Sequence, residues 1–144
     1  MFKTILYPTD FSDVSKKALD YIKQLKEGGA ETVILLHVVD QRSIQAIEQY
    51  ASAQSLKLEK DIMEDATREL QFIERTLKKA GLNVKSRIEI GIPLREILRV
   101  EEDEDISVIV IGSHGKSNLE EMFMGSVSEK VVRKCKRPIL VIKR

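Results

Sequence analysis

Five short runs rich in Ile and Val, set apart by longer amphipathic or polar stretches, are the strongest constraint on how this chain folds. They are Phe2 to Tyr7, stopped by Pro8; Thr32 to Val39, reading TVILLHVV; Val84 to Ile90; Ile106 to Ile111; and Ile139 to Ile142. Four are almost continuously apolar, which is how a parallel strand buried on both faces reads. The third alternates Val84, Ser86, Ile88 and Ile90 with Lys85, Arg87 and Glu89. Alternation of that kind fits a half-exposed strand, so this run belongs at a sheet edge.

The stretches between the runs have helical periodicity. Ser12 is placed to cap a helix whose Val14, Ala18, Tyr21, Ile22 and Leu25 share a face, with Gly28 and Gly29 ending it. A second helix is predicted from about Lys60 to Ala80, with Ile62, Ala66, Leu70, Ile73 and Leu77 on its apolar stripe and Gly81 ending it. Pro93 marks a third helix start, and that helix dissolves in the acidic run Glu101 to Asp105. The last helix begins near Ser126 and carries Val127, Val131, Val132 and Cys135. Residues 40 to 59 have apolar points at Ile44, Ile47 and Tyr50 but weak boundaries, and read as a partly helical surface excursion. Strands alternating with helices imply an α/β fold. Right-handed crossovers turn it into a three-layer doubly wound sandwich around a five-stranded parallel sheet. At 144 residues, one domain covers the whole chain.

Composition excludes several classes of function. Lys and Arg number 24 against 23 Asp and Glu, so a general nucleic-acid clamp, which carries a basic excess, is disfavoured. One cysteine, Cys135, precludes an intrachain disulfide and a cysteine-rich zinc site. No long apolar run follows Met1-Phe2-Lys3-Thr4 and no apolar stretch reaches membrane-spanning length, so no signal peptide is expected and the expected location is the cytoplasm.

Ligands of open parallel sheets bind at the carboxyl ends of strands, where the strand order reverses. After the first strand stands Pro8-Thr9-Asp10. After the fourth stands Gly112-Ser113-His114-Gly115, then nine residues, then Gly125-Ser126-Val127 at the start of the last helix. Glycines allow backbone to approach an anion, and a helix start offers free N–H donors. Two such clusters would cradle a di- or triphosphate; alternatively the glycines are turn formers and Ser126 or Ser128 an N-cap. A P-loop is excluded because Val110 stands where its first glycine would be, and no Gly-x-Gly-x-x-Gly turn follows the first strand.

Over essentially its whole length the chain resembles the universal stress protein family, in its ATP-binding branch. The family motif Gly-x2-Gly-x9-Gly-Ser/Thr is complete as Gly112-x2-Gly115-x9-Gly125-Ser126. The flanking stretches ILYPTDFS (Ile5 to Ser12), LLHVVD (Leu35 to Asp40), VIVIGSHG (Val108 to Gly115) and RPILVIKR (Arg137 to Arg144) match in order. The resemblance implies an adenine nucleotide alpha hydrolase-like sheet of order 3-2-1-4-5. It implies that Gly112, Gly115, Gly125 and Ser126 hold phosphates, with Ser113, His114 and Val127 lining their loop. It further implies that Asp10 accepts from a ribose hydroxyl, that Pro8 and Thr9 lie against the nucleoside, and that Val38 meets adenine.

The expected function is therefore that of an ATP-binding regulatory switch in stress response, not a dedicated enzyme. ATP would come with Mg2+ or Mn2+, and a protein partner, not identifiable from sequence, would sense the loop of residues 112–125. No water-activating base or P-loop lysine is evident, so at most slow hydrolysis is expected. The rivals are a nucleotide-free interaction module and a slow ATPase or nucleotide-transferring enzyme. Homodimerisation is expected through Pro138 to Arg144, an apolar terminal strand whose outer edge nothing later in the chain covers. Among single residues, His37 reads as a satisfied core histidine and Cys135 as core filler. Glu101 to Asp105, with Glu120 and Glu121, read as solvated, and Met122 to Met124 as a packing or partner surface.

Overall fold

A computed structural model describes residues 1–49, 53–114 and 125–144. In chain order the elements are β1 (Thr4–Pro8), α1 (Asp13–Glu27), β2 (Thr32–Asp40), α2 (Gln41–Glu48), α3 (Ala53–Lys79), β3 (Asn83–Gly91), α4 (Pro93–Asp103), β4 (Val108–Gly112), α5 (Ser126–Lys134) and β5 (Ile139–Ile142). The strands form one parallel sheet of order β3-β2-β1-β4-β5. This is the doubly wound arrangement expected from the sequence pattern, in the strand order that the family resemblance implies, with the alternating run Val84 to Ile90 at the β3 edge.

Strand residues alternate between two cores. Ile5, Tyr7, Val33, Leu35, Val108 and Val110 meet Ala18 and Ile22 of α1 and Leu70, Ile73 and Leu77 of α3. Leu6, Ile34, Leu36, Ile109 and Ile111 meet Ile97 and Val100 of α4 and Val131 of α5. Near-continuous apolar strands are thus consumed from both sides, since successive side chains point to opposite faces.

The helix boundaries follow local chemistry. The Ser12 side chain accepts from Ser15 N, capping α1, and Gly29 and Gly81 take the positive φ values of 109° and 92° past the ends of α1 and α3. Pro93 opens α4. The α1 stripe departs from expectation at Tyr21, which is exposed. Residues 41–48 and 53–59 are helical despite the weak sequence boundaries of this stretch. Asp40 caps α2 through Arg42 N, and α3 begins at Ala53, well before Lys60. Met122 to Met124, Glu120 and Glu121 lie outside the described residues.

One acidic residue is misread by its charge. Glu101 is buried, not solvated: its Oε1 accepts from the backbone N–H groups of Lys136 (2.7 Å) and Arg137 (2.8 Å) at the entry to β5. Its position in an acidic run conceals that it lies one residue past Val100 on the buried stripe of α4. Cys135 ends α5 and packs at the margin of the second core; burial, then the Glu101 carboxylate, raises its thiol pKa.

Glu101→Ala would strand two partly buried backbone donors. Unsatisfied buried groups cost about 1–3 kcal/mol each, and these two are only partly buried, so the variant should lose about 2 kcal/mol in urea unfolding. Glu101→Gln, which keeps an acceptor oxygen, should lose markedly less.

Candidate functional site

The crevice opens where β1 lies between β2 and β4. Crossovers leave β1 toward β2 on one side, while β4 arrives on the other, so the loops after β1 and β4 diverge and leave space between them. A cavity of about 720 Å³ occupies this end of the sheet. Its floor is the Pro8–Phe11 segment and the end of β2 at Leu36 to Asp40. Ile62, Asp65, Ala66 and Glu69 of α3 form one wall, with Ser43 of α2. Pro93 and Ile97 of α4 form another, and Gly112, His114 and Gly125 to Ser128 close the far side.

The Pro8–Phe11 segment is held from beneath. Thr9 N donates to Leu36 O at 2.8 Å, extending the β1–β2 pairing beyond Pro8. Tyr7 Oη donates to Ser15 O at 2.5 Å, and Ser15 Oγ donates to Thr9 Oγ1 at 2.6 Å. Burial raises the Tyr7 pKa above the usual phenol value, so this hydroxyl stays a donor at neutral pH. Asp10 is half-buried, and its Oδ1 accepts from Ser12 N at 3.0 Å. His37 is a partnered histidine, as expected, with Nδ1 2.8 Å from Thr9 O.

The opposite side is built around the start of α5. Gly125 precedes its first turn, with N–H donated to Ser113 O at 2.6 Å, and Ser128 Oγ donates to Gly112 O at 2.6 Å. The α5 N-cap has no side-chain acceptor, so the α5 N-terminus presents backbone donors and the positive end of its dipole toward the cavity. His114 is buried. Its Nδ1 lies 2.8 Å from Ser113 Oγ, while its Nε2, also buried, has no hydrogen-bond partner among the described residues.

Of the residues singled out in the sequence, Pro8, Thr9, Asp10, Val38, Gly112, His114, Gly125, Ser126 and Val127 line this one cavity. Ser113 does not: it is buried behind the wall, with its N–H donated to Ile142 O of β5. Gly115 lies outside the described residues. Gly112 has a packing role of its own, because a Cβ there would meet Ser15 N and Val14 Cγ1 of α1 at 3.1 Å. Gly125 has φ −60° and ψ 153°, which any residue adopts, so its backbone angles do not require a glycine.

The α3 wall is what the sequence reasoning missed. Asp65 and Glu69 bring carboxylates to the cavity beside Ile62 and Ala66. Their signal was the 62, 65, 66, 69 spacing, which puts them on the apolar stripe. Asp40 completes this acidic side; hydrogen bonds from Arg42 hold its carboxyl below the usual carboxylate range. The cavity is therefore polar in one sense, with carboxylates toward β1, β2 and α3, and backbone donors toward α5.

A profile of the Universal stress protein family matches residues 1–143. Universal stress protein MJ0577 from Methanocaldococcus jannaschii is 39% identical, covering 100% of this chain and 96% of that protein. A solved structure of MJ0577 superposes with a TM-score of 0.90 at 44% identity, over 100% of this chain and 97% of the other. Two more distant structures share the fold. One is a universal stress protein in complex with cAMP (TM-score 0.66, 21% identity, 99% of this chain and 97% of that one). The other is a universal stress protein family protein from Arabidopsis thaliana with AMP bound (TM-score 0.64, 19% identity, 99% and 92%). With the profile spanning nearly every residue and a relative matched end to end, the chain belongs to the universal stress protein family.

Proposed function

We propose that this protein binds ATP in the cavity at the carboxyl ends of β1 and β4 and acts as a nucleotide-dependent regulatory switch in stress response. The observation that carries this reading is the polarity of the cavity. Asp10 stands on one side as a hydroxyl acceptor. The α5 N-terminus and the buried Nε2 of His114, which has no partner among the described residues, stand on the other, where an anion would satisfy them. The residues present thus fit an adenine nucleotide with its ribose toward Asp10 and its phosphates toward Gly125 and Ser126. Two proteins of the same fold carry AMP and cAMP, which supports the choice of nucleotide class.

In this reading Pro8, Thr9 and Val38 meet the nucleoside, and Gly112, Ser113, His114, Gly115, Gly125, Ser126 and Val127 belong to the phosphate end. Ser113 acts there through His114, whose ring it holds. Mg2+ or Mn2+ would be held by phosphate oxygens and water, since the backbone N–H donors at this end carry no formal charge. The chain binds and orients the nucleotide, and hydrolysis, if any, is slow. We further propose a homodimer through Pro138 to Arg144. Among the described residues β5 pairs with β4 on one side only, and Leu140 of β5 is exposed. An unidentified protein partner would read the nucleotide state, in a cytoplasmic setting. The rival, an interaction module without nucleotide, draws on the packing role of Gly112.

Mg-ATP at about 100 times its dissociation constant should stabilise the protein by about 2.7 kcal/mol. That is about 5–10 °C in melting temperature for a chain of this size. Gly115→Val combined with Gly125→Val should stay folded and lose most of that rise in thermal unfolding. An undiminished shift would favour the rival or place the phosphates elsewhere.

Light scattering at micromolar concentration should give twice the chain mass. Val141→Pro removes an outward-facing donor, since residues 138, 140 and 142 turn their backbone groups toward β4; it opposes pairing with a second strand and should give the monomer. A wild-type monomer would refute the β5 interface.

A further inference from the structure

We propose that Phe11 and His37 are positioning residues that fix the Asp10 carboxylate for recognition of a ribose hydroxyl; this rests on the nucleotide reading above. Phe11 is the only non-glycine with positive φ among the described residues, at 66°. A side chain bearing Cβ is disfavoured in that left-handed region, and a large aromatic one especially. Such a conformation persists only where the surroundings over-determine it.

His37 does that by gripping both neighbours of Asp10. On one side its Nδ1 lies 2.8 Å from the carbonyl oxygen of Thr9. On the other its ring stacks on Phe11, with centroids 4.2 Å apart and planes at 26°. Phe11 N donates to Thr9 Oγ1 at 3.1 Å, and Ser12 N donates to Asp10 Oδ1 at 3.0 Å. Asp10 therefore sits in a backbone segment clamped at both ends, with its own carboxylate tied to the next turn. The imidazole is anchored in β2, opposite Ile88 of β3 in the sheet, so the clamp is referenced to the rigid core and not to the loop. A hydrogen bond to a charged acceptor discriminates ligands only when the acceptor is held in place; a carboxylate free to swing loses its entropy on each binding event. The aromatic stack thus converts one side chain in a disfavoured conformation into selectivity for a hydroxylated sugar.

The test compares Mg-ATP with Mg-2′,3′-dideoxy-ATP by calorimetric titration of the full chain. Hydrogen bonds to charged groups predict that the wild type binds ATP about tenfold or more tightly than the dideoxy analogue. Phe11→Gly suits the left-handed backbone better than any other residue, which offsets part of the cost of deleting a ring that packs in the first core. It should reduce the ratio to about threefold or less by weakening ATP alone. His37→Leu should do the same, and Phe11→Tyr, which keeps the ring, should retain the wild-type ratio. A ratio unchanged in Phe11→Gly and His37→Leu overturns the positioning role. So does equal weakening of both nucleotides, which marks a merely structural effect. A wild type that binds no ATP, or binds both nucleotides equally, overturns the nucleotide or ribose reading itself, and the clamp with it.

Discussion

The parallel pairing of β1 with two neighbours at once is the constraint on which everything else rests. β1 is five residues long and fully sandwiched: Ile5, Leu6 and Tyr7 are without solvent exposure. It must supply alternating side chains to both cores while its backbone serves β2 and β4. Because its neighbours are reached by crossovers on opposite sides, the chain cannot close over its carboxyl end. The cavity is the unavoidable gap of this winding, and the chemistry of the site is what the loops place around it.

Those loops are positioned by contacts within the folded layers. Thr9 continues the β1–β2 ladder by one hydrogen bond past Pro8. Gly112 lets β4 approach the first turn of α1 so closely that a methyl group there would stand 3.1 Å from Val14 Cγ1 and Ser15 N, tighter than ordinary contact. Ser128 of α5 returns a hydrogen bond to the Gly112 carbonyl. The start of α1, the end of β4 and the start of α5 are therefore one packed unit, and the two sides of the cavity keep a set distance.

Most of the architecture was legible because burial on both faces leaves an unmistakable Ile/Val run, and of the two edge strands β3 alternates. Ser12, Gly29, Gly81 and Pro93 announced helix ends because each has a local stereochemical reason to stand there. The site was legible in position, since glycines and Asp10 follow strand ends. It was not legible in its α3 wall, whose Asp65 and Glu69 reach the cavity only through a helix packed from elsewhere in the chain. Glu101 was misread for a similar reason: its partners are backbone N–H groups of residues 136 and 137, which carry no sequence signature. Phe11 gave no warning either, because a left-handed φ at an aromatic residue contradicts its local preference.

The buried carboxylate on α4 also has a mechanical meaning. At one end α4 contributes Pro93 and Ile97 to the cavity wall. Near its other end Glu101 holds the backbone at the entry to β5. Eleven helical residues make a rod of about 16 Å, and its two ends are fastened to different things. A tilt of α4 at the cavity must therefore move the pivot of the outermost strand, so the depth of the pocket and the placement of the sheet margin share one lever.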